Sequence, residues 1–361
     1  MKNKLFKNSS FQTILSSLFC IFVGLIIGFV VLYLIDPDGA FEAIKTILLN
    51  FMDRGNSVSR LRALGNTLAK MAPLLMCALS VCFCYKVGLF NIGVAGQYVA
   101  GAGAALYGAL VWHLPWYLCI VLAALAGALL GVIVGILKSY RNVNEVISGI
   151  MLNWIVLYLV NMILGYPLTK DIASPYTKDL LEVNPSALIP TLGLDKFFSN
   201  NKMVTISILL AILFAFIIWI LLEKTKFGYE LKATGFNPHA AKYAGMKEKK
   251  NMIITLAIGG ALAGIGACFL YLSGYQRWAT TAASVPSMGF NGIAATFLGG
   301  LHPIGTIFSS YFIQHITDGG SLIDRMIYPS QISDLITSLI IYLCGFVLFF
   351  KMLMHKKGGK S

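Results

Sequence analysis

Charge is the scarcest property of this sequence. Only 12% of its 361 residues are charged, while 57% are apolar. Soluble domains carry about 25% charged residues, so the composition excludes a water-soluble fold and indicates a membrane-spanning one. Acids are scarcest, 15 against 28 lysines and arginines. No pair of acids falls in an apolar run, which removes a buried general acid–base pair. The five histidines, His113, His239, His302, His315 and His355, are scattered without metal-ligand spacing. The seven cysteines are odd in number, and only Cys82 and Cys84 are close. They read as small apolar packing residues, not as disulfide or metal ligands. Gly359-Lys360-Ser361 ends like a phosphate loop, but Met354 stands where the first glycine belongs. No catalytic set, metal site or nucleotide site is therefore expected, and an enzyme is the remotest reading.

Long apolar runs are what is present. A helix needs about 20 apolar residues to cross a bilayer. On that rule ten spans are expected, at 13–35, 66–85, 94–112, 116–137, 146–166, 203–222, 251–273, 289–301, 303–317 and 332–350. The eighth and ninth are short and could be one broken helix. Loop charge favours ten spans with both termini inside. The inner segments then hold most of the basic residues and only four acids, Glu145, Glu223, Glu230 and Glu248. The net charge of +13 thus marks orientation more than nucleic-acid binding. The first run follows Lys2, Lys4 and Lys7 and has no A-x-A-like site after it, so it reads as a transmembrane helix. Trp112 and Trp116 fit an outer aromatic belt. The expected architecture is an all-α polytopic bundle, one domain over 1–361, with long outer segments at 36–65 and 167–202. Within the first, 41–52 has the spacing of a helix lying in the interface. Four prolines make the second irregular. Spans two to five and seven to ten run in opposite directions, which allows an inverted repeat.

The inner segment 223–250 is rich in charge and helix punctuation. Asn237 can cap orphan amides, Pro238 suits a first helical position, and Gly245 suits a left-handed stop. A short helix from Pro238 to about Ala244, carrying Ala240, Ala241 and Tyr243, would be a rigid knob for a soluble partner. The plainer reading is a solvated loop that sets orientation. Lys70 and Asp334 are the only charges inside the expected spans, both near outer ends. Secondary transporters keep ionisable groups at the midplane, so here the energy for uphill transport is expected to come from elsewhere. Uncharged polar and aromatic residues break the core instead: Phe90, Asn91 and Gln97 in the Gly-rich stretch 88–97, Asn153, Trp154 and Asn161 in the fifth span, and Phe290 and Asn291 opening the eighth. Gly/Pro-interrupted segments in matching halves point to a translocation path. Amides and aromatics suit a neutral hydroxyl-bearing or heteroaromatic solute. Interhelical bonding and close packing are the alternative for any one of these residues.

Four stretches in order carry a resemblance: VGLFNIGVAGQ at 87–97, NEVISGIMLNWI at 144–155, GYELKATGFNPHAAKYAGM at 228–246 and GFNGIAATFLGGLHPIG at 289–305. They resemble permease subunits of bacterial ABC importers for simple sugars, branched-chain amino acids and nucleosides, most closely the nucleoside type. The resemblance implies a second permease chain or copy, cytoplasmic ATPases that bind ATP and magnesium, and an external substrate-binding lipoprotein. It also implies that the loop between spans six and seven couples to the ATPase. The match falls on Glu230, Gly235, Asn237, Pro238, Ala240, Ala241, Tyr243 and Gly245. His239 departs from it, standing where a basic residue, often Arg, is expected. The implied function is nucleoside import across the bacterial cell membrane by alternating access. A ribose-type sugar permease is the nearest alternative, and a self-sufficient secondary transporter or channel the alternative of another class.

Overall fold

The apolar runs fold as helices whose ends carry their own caps. A computed structural model describes residues 9–323 without a break and, beyond them, residues 326–328, 335, 336, 338, 339, 342, 343, 345–347, 349, 350 and 352. In chain order the helices are α1 (Ser9–Ile35), α2 (Ala40–Leu49), α3 (Ser57–Lys86), α4 (Val94–Leu110), α5 (Trp116–Arg141), α6 (Glu145–Leu164), α7 (Ser207–Lys224), α8 (Lys226–Phe236), α9 (Pro238–Tyr243), α10 (Glu248–Tyr271), α11 (Ser287–Leu298) and α12 (Pro303–Gly320). Single turns of helix, Leu180–Val183 and Leu194–Phe197, lie between α6 and α7. Asn56, Asn144 and Thr225 each accept a bond from the first turn of the helix they precede, at 2.7, 2.8 and 3.0 Å. They satisfy amides that a helix start leaves orphaned.

Six of these helices, α1, α3, α5, α6, α7 and α10, are long and apolar enough to cross a membrane. The protein is an all-α, multi-pass membrane protein. α11 has only 12 residues and rises about 18 Å, well short of a bilayer. The expected eighth span is thus a half-length helix. It turns back at Gly300 and Leu301, both at positive φ, into α12. α12 runs to Gly320, so Asp318 lies inside it and not in a loop. Of the expected tenth span, 332–350, residues 332–334, 337, 340, 341, 344 and 348 lie outside the described residues.

α3 and α10 are the buried centre, and α1, α5, α6 and α7 are largely peripheral. One apolar core joins α3 to α7 with α10. A second gathers α1, α2, α11 and α12 against Leu74 and Ala78 of α3. α5 meets α10 through small residues: a Cβ on Gly127 or Gly131 would strike the carbonyls of Gly260 or Leu256. Such close backbone approach is how helices associate where no hydrophobic effect separates them from lipid.

The connecting segments sort into two groups, one at each end of the bundle. At the first end Lys138 pairs with Glu145 at 2.8 Å, Ser139 bonds the Lys249 carbonyl, and α8 touches Val87 and Gly88. At the other end the segment 165–206 is pinned to the chain after α10. The Thr177 amide bonds the Trp278 carbonyl at 2.9 Å, and the Ile189 amide bonds that of Leu272 at 2.8 Å. Asn184 bonds the Ala109 carbonyl, and Asn201 that of Arg62. This grouping is the one expected from loop charge for the inner and outer segments. The proline-rich segment 165–206 is not a slack connector but a cap held by long-range bonds.

Candidate functional site

The corner formed by α7, α8, α9 and α10 starts from Thr225. Its extended backbone ends α7, and its hydroxyl caps α8. Leu231 and Thr234 bury one side of α8, and Asn251 of α10 bonds the Thr234 hydroxyl at 2.9 Å. Lys232 reaches back to Glu223 at 3.0 Å. Asn237 is extended, which stops α8. Its side chain then accepts the Ala240 amide at 3.1 Å, and Pro238 opens α9. Ala241 is the buried residue of α9. Gly245 sits at φ +82°, a left-handed position that suits glycine, and the Met246 amide returns to the Ala241 carbonyl. The short helix that Asn237, Pro238 and Gly245 predict is thus present with both stops.

What that rigidity presents is apolar. Phe236 is 96% exposed and Tyr243 95%, with Tyr229 also exposed nearby. These large rings stand bare on backbone fixed by caps. Ala240 is exposed among them, and Glu230 is half-buried with a loose contact to Lys226 at 3.9 Å. Phe236 and Tyr229 are additions to the residues expected from sequence. Their signal was available: two aromatics in a charged, solvated segment.

The same corner is joined to the rest of the bundle through glycine. A Cβ on Gly235 would land on the Val87 carbonyl, and one on Gly88 would lie 2.7 Å from the Gly235 carbonyl oxygen. Backbone therefore rests directly on backbone where α8 ends. The turn on the far side of that contact carries Asn91. Its amide nitrogen donates to Ser80 at 3.1 Å and to Gln97 at 2.8 Å. Asn153 of α6 accepts the Gly96 amide at 2.7 Å and donates to the Ile92 carbonyl at 3.1 Å. Asn91, Gln97 and Asn153 are all buried. The Gly-rich stretch thus knots α3, α4 and α6 together, and α8 presses on the knot. His302, in the α11–α12 turn, lies in the fields of Lys86 and Glu223 at this end. Burial, then Lys86, holds its pKa below the usual value, and Glu223 opposes them.

The expected path residues divide into two sets. The three amides form the knot just described. The aromatics point elsewhere: Trp154 is 43% exposed and stacks on Tyr158, with ring centroids 6.3 Å apart. Phe290 is also exposed, Asn291 is half-buried, and Phe90 packs edge-on to Tyr85. Asn161 bonds the Trp278 indole and the Ala282 carbonyl, tying α6 to the outer cap. Between these sets the bundle is close-packed. A Cβ on Gly96, Gly101, Gly289 or Gly292 would run into Asn153, Gly264, Ala95 or Cys77. A cavity of about 1030 Å³ lies outside that packing, between α4, α5 and α6. Leucines, valines and alanines line it together with Tyr107, Trp112 and Tyr166, and its Thr169 hydroxyl already bonds Leu164. Its lining is predominantly apolar. Among the described residues no group of three or more His, Cys, Asp or Glu could hold a metal ion.

The family described as branched-chain amino acid transport system / permease component matches residues 63–345. The chain is 31% identical over 302 residues to the nucleoside ABC transporter permease protein NupB of Lactococcus lactis subsp. cremoris, covering 82% of each. It is 32% identical over 306 residues to the guanosine ABC transporter permease protein NupP of Bacillus subtilis, covering 82% of this chain and 85% of NupP. The glucose ABC transporter permease protein TsgB13 of Haloferax volcanii is 26% identical, over 80% of this chain and 77% of its own. No solved structure matches the chain significantly.

Proposed function

The chain belongs to the family of branched-chain amino acid transport system permease components, and we propose that it is the membrane-spanning subunit of an ATP-binding-cassette importer of nucleosides. One observation carries the reading: a doubly capped helix, α9, with bare Tyr243 on it and bare Phe236 at the end of α8 beside it, at the end of the bundle where basic residues collect. The names of the relatives NupB and NupP supply the solute class.

In this reading the α8–α9 corner docks on a cytoplasmic ATPase through Phe236, Ala240 and Tyr243. Asn237, Pro238, Ala241 and Gly245 hold it rigid, and Gly235 and Glu230 set the backing helix. The excess of basic residues at that end supports a cytoplasmic side for it, in the bacterial cell membrane, with both termini there. ATP and magnesium belong to the partner chain. A second permease, related or identical, completes the path. The bare Trp154 and Phe290, beside a close-packed interior, support a path along the face the two permeases share. The indole of Trp154 and the phenol of Tyr158 stacked on it lie midway along α6, where such groups are costly against lipid and the interface belts are favoured instead. The pinned outer cap at 165–206, where Arg277 meets Asp171 at 3.1 Å, would receive the external binding lipoprotein. Motion of α8 would reach the Asn91–Gln97–Asn153 knot through the Gly235–Val87 contact and shift the bundle between its two openings.

The likeness to TsgB13 keeps a sugar permease as the second reading. Competition separates the two. In vesicles bearing the complete importer, unlabelled guanosine should suppress uptake of labelled guanosine, and excess ribose or glucose should leave it unchanged. Uptake of labelled ribose or glucose, with none of labelled guanosine, would replace the nucleoside assignment.

A further inference from the structure

The outer end of α12 is fastened on two sides by different chemistry. Towards α2 the fastening is neutral. The Asn50 amide bonds the His315 carbonyl at 2.9 Å, the His315 ring meets the Leu48 carbonyl at 2.9 Å, and Gly319 lies against the Ile47 backbone. Towards α3 it is ionic. Lys70 meets Asp318 at 2.8 Å, and the Thr67 hydroxyl donates to the other carboxylate oxygen at 2.9 Å. Gln314, one turn earlier on α12, donates to the first oxygen at 3.0 Å. The Lys70 ammonium also lies 5.1 Å from the centroid of Tyr275, in the chain after α10.

The carboxylate already accepts from these three donors, so the cluster is not a free ligand site. A plain brace is poorly made this way. Desolvation offsets much of the attraction in a partly buried ion pair, and apolar packing stabilises as well or better. An ion pair offers instead a contact that is firm when closed and hydrated when open. Lys70 and Asp318 retain 25% and 12% side-chain exposure, so water can take up both charges on separation. The other end of α12 begins at the His302 turn, beside Lys86 and Glu223 and hence beside the α7–α8 corner. One helix of 18 residues, about 27 Å long, therefore runs from the corner that carries α9 to this ion pair.

We propose that Lys70 and Asp318 form an outer latch, which keeps α3 and α12 together until cargo and ATP open the path. They are positioning residues for transport, and the proposal rests on the reading as an ATP-driven permease. Lys70→Met and Asp318→Asn should raise ATP hydrolysis by the complete complex without guanosine about fivefold, a typical coupling effect. Guanosine imported per ATP should fall in parallel. The exchanged pair, Lys70→Asp with Asp318→Lys, should return both readings towards wild type, and Gln314→Leu should lie between. A brace would lower the yield of assembled complex and leave import per ATP unchanged. That outcome overturns the latch. Should the single variants not assemble, Gln314→Leu decides: raised cargo-free hydrolysis supports the latch, and unchanged hydrolysis overturns it. If the wild-type complex shows no guanosine-stimulated hydrolysis, the transport reading falls and the latch with it. If wild type is stimulated and the variants match it, only the latch falls.

Discussion

Replacing Gly235 with alanine is expected to cut guanosine uptake by the assembled importer roughly tenfold to a hundredfold, the effect of a few kcal/mol of misfit at a coupling contact. The added methyl has nowhere to go. Its position coincides with the Val87 carbonyl, which is backbone and cannot rotate aside as a side chain would. α8 must then lift from the turn at 87–93. The rest of its footing, Leu231 in the core and the bond from Asn251 to Thr234, stays in place. The variant should therefore insert, assemble and bind the ATPase while ATP hydrolysis loses its response to cargo. Gly88→Ala should act in the same direction, since Gly88 is at φ +78° and faces the same contact from the other side. Uptake and stimulated hydrolysis measured side by side check this. Full activity in both variants would show that force does not pass through this joint.

The second large effect is expected at the ATPase interface. Phe236→Ala with Tyr243→Ala should weaken binding of the ATPase subunit by at least about thirtyfold, the typical loss when one aromatic hot spot is truncated. Both rings stand almost wholly in water in the isolated chain, so removing them disturbs no internal packing. The thermal stability of the detergent-purified permease should stay within about 0.5 kcal/mol of wild type, as for other exposed sites. Titrating the ATPase against permease held in lipid nanodiscs measures the loss. Unchanged affinity would mean that another surface makes the contact.

The capped helix α9 was legible in the sequence because its signals are local. An Asn, a Pro and a Gly at the correct offsets define α9 whatever surrounds them. The long helices were legible for the same reason, since length and hydropathy are properties of one segment. What was not legible depends on distant pairs. α8 was missed because GYELKATGF lacks an apolar stripe; its helix is fixed by the Thr225 cap and by α10 through Asn251. The outer cap looked irregular because its order comes from partners about 80 to 140 residues away, such as Leu272 for Ile189 and Arg62 for Asn201. Asn153 and Trp154 are sequence neighbours with one reading as path residues. On a helix, adjacent residues point about 100° apart, and the fold puts one in the amide knot and the other on the bare face. Asp318 appeared to lie in a loop, because hydropathy fades a turn before the α12 backbone stops.

The account as a whole rests on the source of energy. Among the described residues two ion pairs join membrane helices, Lys138–Glu145 at the ends of α5 and α6 and Lys70–Asp318 towards the far ends of α3 and α12, while the end that holds Lys138 offers a rigid, doubly capped helix. The most direct measurement places the purified chain in vesicles, alone or with its second permease, ATPase and binding protein, and follows labelled guanosine under a proton gradient, a sodium gradient, or ATP. Accumulation should occur only in the complete assembly and only with ATP. Accumulation by the single chain under either gradient would contradict the account.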